Sequence, residues 1–169
     1  MIASQLTIKT ICAADLETLA TIDADANTEP WSVDDFGRWL EEMIDHPTQF
    51  FGVLATCQMT GQPVGHATWT NHARHISLIE CVVAKRWRRH GFATAILRHV
   101  AGTLTPMRNK IFALAHERND DGLAFLLACG FKGIGTTPVD KDEADHYAMQ
   151  YVHAATLPVS VVDGVTIRR

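Results

Sequence analysis

A chain of 169 residues, 47% hydrophobic and 20% charged, has the length of a single domain and enough apolar mass to bury a core without staples. With no internal repeat or low-complexity run, disorder and solenoid folds are excluded, and the formal net charge of −4 argues against a nucleic-acid partner. No apolar run is long enough to cross a bilayer and the amino terminus has no charged-then-apolar leader pattern, so a soluble cytoplasmic protein with no membrane partner is expected.

The chain opens on "QLTIKTI", residues 5–11, which alternates as a strand. Leu16, Leu19 and Ala20 then fall at helical spacing. In "PWSVDDFGRWLEEMI", Ser32 is placed to cap a helix with Asp35 three residues on, and Trp31 and Phe36 can staple its entry. Phe36, Trp39, Leu40, Met43 and Ile44 trace one face of that helix. "FFGVLAT", "PVGHATWT" and "ISLIECVVA" read as a three-stranded antiparallel meander.

A helical stripe follows, formed by Phe92, Ile96, Leu97, Val100 and Leu104 and ending before Pro106. "KIFALA" is a short buried strand. The next helix runs from about Asn119, a good cap, to Gly130, a left-handed stop with Phe131 packing behind it. "HYAMQYV" is read as the last core strand. In the tail "LPVSVVDGVTIRR", Asp163-Gly164 is a hairpin signal. Residues 1–151 are therefore read as the domain and 152–169 as an added β-hairpin, set against the domain or a dimer partner. Strands and helices in this order argue an α+β fold. Cys12, Cys57, Cys81 and Cys129 are scattered with no CxxC pair, which suits reduced packing residues, and no metal site is expected.

"KRWRRHGFATAIL", residues 85–97, crowds basic side chains ahead of a helix. A strand, a basic turn, Gly91 and a helix N-terminus together bring free main-chain N–H groups and the positive end of a helix dipole to one place. Gly91 allows close approach of a phosphate, and Lys85, Arg88 and Arg89 supply charge around the rim. A solvated basic loop whose glycine merely starts a helix fits the same spacing. A triphosphate P-loop and a dinucleotide fingerprint are both excluded, since neither glycine pattern is present.

"RRHGFA", Arg88 to Ala93, resembles the Q/R-x-x-G-x-G/A signature of the GNAT superfamily of acetyl-CoA-dependent N-acetyltransferases. "AHERNDDGLAFLLACGF" is similar to that family's second motif, about 28 residues further on. The resemblance spans roughly residues 5–151. It implies the GNAT fold: a central mixed, mostly antiparallel sheet with a splay between strands 4 and 5, flanked by about four helices. It also implies acetyl-CoA as cosubstrate, without a metal. The main chain of Arg88, Arg89, His90, Gly91, Phe92, Ala93 and Thr94 would cradle the pyrophosphate. Val82, Val83 and Ala84 would pair with the pantetheine arm, and Asn119 and Phe125 would add coenzyme contacts.

"EPWSVDDF" and "DHYAMQY" further resemble the ribosomal-protein alanine N-acetyltransferases, the RimI type. That likeness makes a protein or peptide N-terminal amine the first-choice acceptor, with Trp31 and Phe36 bordering its channel unless both simply pack the helix. A small-amine acetyltransferase acting on a polyamine, amino acid or aminoglycoside stays open, as does an acyl-CoA sensor with little turnover. Monomer and homodimer are both compatible.

The chain departs from that subfamily where it carries its catalytic pair: Leu114 and Leu126 stand in the positions of its Glu base and Tyr acid. Neither can move a proton. Glu80, three residues before Val83, is the first candidate base, although it shares a strand face with Leu78 and Val82. His116 and Glu117 come next, with a solvated rim as their plainer role. Tyr147 can replace the missing acid. His66 and His72, on or beside one strand, are either ordinary sheet residues or a proton-carrying pair.

Overall fold

The computed structural model describes residues 6–27, 29–137 and 146–153, and the main chain of residues 159–162 and 165–168. The chain divides into two compact units, Met1–His72 with Ser77–Gly102 and Ala73–Ile76 with Thr103–Arg169.

In the first unit, β1 (Leu6–Thr10) leads through a tight turn at Ala13–Asp15 into α1 (Leu16–Ala26) and α2 (Val33–Asp45). Next come β2 (Phe50–Cys57), β3 (Pro63–Asn71), most of β4 (His75–Val83) and α3 (Phe92–Ala101). The strands lie in the order β1-β2-β3-β4. β2 is antiparallel to both β1 and β3, with Ile8 opposite Ala55 and Leu54 opposite His66. The β2–β3 turn closes with Cys57 N–H donating to Gln62 O at 2.9 Å, and Gly61 takes a φ of 66°, which its lack of a side chain permits.

Ser32 caps α2 as expected: its Oγ accepts from Asp35 N–H at 3.2 Å while Ser32 N–H donates back to the Asp35 carboxylate at 2.8 Å. Those bonds and the Arg38 guanidinium hold the Asp35 carboxyl down at about 2. Trp31 and Phe36 meet at 5.1 Å between ring centroids, the contact of a hydrophobic staple. Phe36, with no exposed surface, joins Ile11, Leu19, Ile22, Leu54, Val82 and Ala84 in one apolar cluster. Burying a side chain of that size contributes ~1.5–3 kcal/mol. α1 reaches the cluster through Leu19 and Ile22, and Asp23 lies beside them on the buried side.

α3 buries Phe92, Ile96, Leu97 and Val100 but ends at Ala101, so Leu104, expected on its stripe, lies beyond it. Gly102 N–H caps the helix on Arg98 O at 2.9 Å, and Gly-Thr at 102–103 are poor helix formers, so the helix stops before Pro106 is reached.

The second unit contains β5 (Lys110–His116), α4 (Asp120–Ala128), β6 (Lys132–Thr137), β7 (His146–Val152), β8 (Val159–Val162) and β9 (Val165–Arg168). β7 lies between β5 and β6 and is antiparallel to both. Asn119 caps α4, its Oδ1 accepting from Gly122 N–H at 2.9 Å. The C-terminus of α4 is a Schellman turn, in which Gly130 at φ 90° donates to Leu127 O and Phe131 donates to Leu126 O, both at 3.0 Å.

β6 corrects the expectation that β7 alone follows α4. Gly133 and Gly135 interrupt its alternation and all six of its residues are exposed, so main-chain pairing with β7 rather than an apolar pattern makes it a strand. β8 and β9 pair antiparallel, with Val162 opposite Val165. The Asp163-Gly164 turn lies outside the described residues. Among the described residues, no helix is long and apolar enough to cross a membrane.

Candidate active site

β4 ends in a tight turn at Lys85–Trp87, and the chain then passes through Arg88–Gly91 into α3. Two residues of this passage are left-handed, Arg89 at φ 62° and Gly91 at φ 81°. That backbone costs an L-residue ~1–2 kcal/mol, which only the glycine escapes. Such alternation turns main-chain N–H groups toward one side, as in anion-binding nests. Ala95 N–H makes the first bond of α3, to Gly91 O at 3.0 Å. The N–H groups of Phe92 and Ala93 therefore lie in its first turn, at the positive end of the dipole. A Cβ on Gly91 would meet nothing within 4 Å, so the space above the turn is open.

The Arg88 guanidinium does not serve the rim, as its sequence position suggested. Its Nε donates to Val83 O at 3.2 Å and its Nη2 to Ala26 O at 3.0 Å, tying the end of β4 to the end of α1. Lys85 N–H donates to the Asp25 carboxylate at 2.6 Å, and His90 Nδ1 lies 2.7 Å from Arg88 O. The side chains of Val82, Val83 and Ala84 are buried, and Ala84 N–H donates to Val64 O at 3.0 Å. An open cleft of about 450 Å³ reaches Ala84 and Arg86 beside Glu17 and Asp25 of the α1 region, without touching Glu80.

Glu80 faces a buried cluster. It shares its strand face with Leu78 and Val82, as the alternation implied, and that face is the one α1 covers. Asp23 from α1 and His66 from β3 are both 0% exposed, and one ligand-type atom from each of Asp23, His66 and Glu80 lies within 4.8 Å of the others. Asp23 is fixed by two short bonds, from Asn27 Nδ2 at 2.7 Å and from Trp31 N–H at 2.6 Å. His66 Nε2 stands 3.6 Å from Asp23 Oδ1. Neither nitrogen of His66, nor Glu80 Oε2, has a hydrogen-bond partner among the described residues. Leaving a buried polar group unpaired costs ~1–3 kcal/mol, so this arrangement calls for a chemical reason. Burial, and secondarily the Asp23 charge, push the Glu80 carboxyl up to about 8.

Sequence reasoning missed Asp23. The signal was present: in "LETLATIDADA", position 23 falls on the helical stripe of Leu19 and Ile22. His66 and His72 do not form a pair. His66 lies inside β3 while exposed His72 follows it, its Nε2 3.1 Å from Thr70 Oγ1; six residues of extended chain span roughly 20 Å.

Phe36, expected along an acceptor channel, is fully buried, and its ring meets the His66 edge at 5.2 Å. Trp31 is only partly buried. In the second unit, Tyr147 is 40% exposed, although Met149 on the same strand is buried and Tyr151 contacts Phe131. Leu114 is exposed and Leu126 is buried under the α4 turn. His116 Nδ1 accepts from Arg118 N–H at 3.1 Å and Glu117 pairs with Arg118 at 3.8 Å, as suits a solvated rim. Asn119 and Phe125 sit on α4, the first committed to its cap and the second partly buried.

An α+β fold in which a left-handed glycine turn opens a helix is an arrangement suited to holding an anion. Residues 16–131 match the model of the acetyltransferase (GNAT) family, and the chain belongs to that family of acyltransferases. Three solved structures illustrate the shared fold. The ribosomal-protein-S18-alanine N-acetyltransferase of Escherichia coli is 18% identical, with 87% of this chain and 93% of that one covered at a TM-score of 0.71. Spermidine/spermine N-acetyltransferase SpeG of Vibrio cholerae is 17% identical, with coverage of 90% and 95% at 0.69. PaiA N-acetyltransferase of Thermoplasma acidophilum, in complex with coenzyme A, is 14% identical, with coverage of 88% and 99% at 0.70. No curated protein sequence matches the chain significantly.

Proposed function

We propose that this chain transfers an acetyl group directly from acetyl-CoA to a primary amine, with a protein or peptide amino terminus as first-choice acceptor. The residues fit the coenzyme: the first turn of α3, the left-handed Gly91 and the space above it suit a pyrophosphate held by main-chain N–H groups. When bound, acetyl-CoA supplies the activated acyl group. The residues of this chain hold its diphosphate and handle the proton of the acceptor.

The observation that carries this reading is the Glu80 carboxyl, partly buried within 4.8 Å of Asp23 and His66, where desolvation pushes it up to about 8. An acceptor amine attacks only when neutral. A base poised near 8 suits an α-amine of pKa about 8 better than a lysine of about 10.4. Glu80 takes one proton from the ammonium, and the free amine attacks the thioester carbonyl. A main-chain N–H near Val83 would stabilise the oxyanion. As the C–S bond breaks, the sulfur takes the second amine proton, so the leaving group needs no separate acid at Leu126. Tyr147 remains the alternative donor.

The second reading is acetylation of a polyamine or similar small amine, and the shared fold of the spermidine/spermine N-acetyltransferase SpeG supports it. Free-thiol release from acetyl-CoA, measured across peptides and small amines, separates the two. Tight acetyl-CoA binding with no thiol release from any acceptor would leave the sensor reading instead.

A further inference from the structure

One carboxylate suffices to accept a proton from an amine, yet Glu80 lies beside an imidazole that is wholly buried and, among the described residues, bonded through neither nitrogen. Behind that ring stands Asp23, 3.6 Å from Nε2, and both of its oxygens are immobilised by Asn27 and the Trp31 main chain. The Phe36 ring closes one edge of the imidazole. Among the described residues, the titratable groups facing Glu80 in this cluster are Asp23 from α1 and His66 from β3, while α2 contributes only apolar Phe36. A fixed carboxylate, a buried imidazole and a partly buried carboxyl, all within 4.8 Å of one another, bring a candidate base together with two groups able to orient it.

We propose that His66 and Asp23 are positioning residues that join Glu80 in one proton-accepting unit, with Asp23 orienting His66 and His66 sharing the proton that Glu80 takes from the acceptor. This rests on the amine-acetylation reading above. The ammonium N–H bond breaks as an O–H bond forms on Glu80. That O–H then breaks as an N–H bond forms on His66, leaving a cationic ring beside the Asp23 anion and restoring the Glu80 carboxylate. The amine lone pair forms the C–N bond, the C–S pair leaves on sulfur, and the sulfur takes the remaining amine proton. His66 returns its proton through Glu80 to water, so one proton ends on the thiol and one in solvent. A divalent cation is the competing occupant.

The test uses the full chain and its His66→Gln and Asp23→Asn variants, assayed by thiol release with the best acceptor from the panel. The unit predicts that kcat falls about 10-fold or more in each with the KM for acetyl-CoA unchanged, and that the acid limb of the kcat/KM pH profile moves by about one unit. An unmoved profile at unchanged kcat overturns it. A second arm needs no activity: the His66 imidazole is titrated by NMR in the parent and in Glu80→Gln, whose altered side chain is only partly buried. A midpoint displaced by about one unit supports the unit, and identical midpoints overturn it. If no amine is acetylated, the functional reading fails while this titration still decides the coupling. If His66→Gln does not fold, the Glu80→Gln titration decides alone. Stoichiometric zinc or manganese bound by the parent and lost in Asp23→Asn also overturns the proposal, in favour of a cation site.

Discussion

The turn at residues 88–94 and the cluster of Asp23, His66 and Glu80 are built by opposite means. The turn uses consecutive main-chain groups, so its chemistry follows from a glycine, a helix start and a short run of sequence. The cluster collects one side chain from each of α1, β3 and β4, over fifty residues apart at the extremes, and exists only once those elements are packed. Chemistry carried by the backbone is written locally. Chemistry carried by converging side chains is written in which helix face the core selects.

The sharpest way to break the comparison is at the turn. Gly91→Glu places a charged side chain in the open space above it and forces that side chain to adopt φ 81°. Calorimetry should show acetyl-CoA affinity reduced about 100-fold or more, with the circular dichroism of the folded chain retained. Affinity equal to the parent would remove the phosphate site.

The cluster should respond differently. Glu80→Gln is expected to lower kcat about 100-fold while leaving acetyl-CoA affinity within about twofold, as measured by thiol release and calorimetry. Equal losses in both would merge the two regions into one.

Stability against pH sharpens the same point. The Glu80 carboxyl is raised in the folded state, from 4.5 to about 8, so its contribution is fully present below 4.5 and is lost as pH rises toward 8. At ~1.4 kcal/mol per unit, this amounts to a few kcal/mol. Denaturant unfolding of the parent should weaken across that window, and Glu80→Gln should lose this component. Parallel curves for parent and variant would count against the buried carboxyl.

The smallest effect lies away from both regions. Ser32→Ala should cost ~1 kcal/mol of stability with no change in coenzyme affinity. Asp35, depressed to about 2, contributes stability that is present above its usual 3.8 and lost as pH falls through 2. Thermal unfolding between pH 2 and pH 5 should therefore differ between Ser32→Ala and the parent most at the upper end.

Much of the fold was legible because its signals are local: the Ser32 capping box, the Trp31–Phe36 staple and the Gly130 stop each lie within a few residues. β6 was not legible, since two glycines erase its alternation and its partner β7 supplies the bonds. Leu104 was assigned to α3 because an apolar stripe says nothing about where Gly102 releases the chain. At the site, Gly91 was legible from its neighbours and Glu80 from its strand. Asp23 required recognising an acid on a buried helix stripe, while His66 was named as a candidate but paired with His72 rather than with Asp23 and Glu80.

Arg88 links the two regions through a single side chain. Its planar fork grips a carbonyl at the end of β4 and another at the end of α1, five residues before Trp31, whose N–H holds Asp23. A lysine there keeps the charge but has one ammonium for two diverging acceptors. The end of β4 and the end of α1 thus share one crossbar, set at the entry to the turn that opens α3.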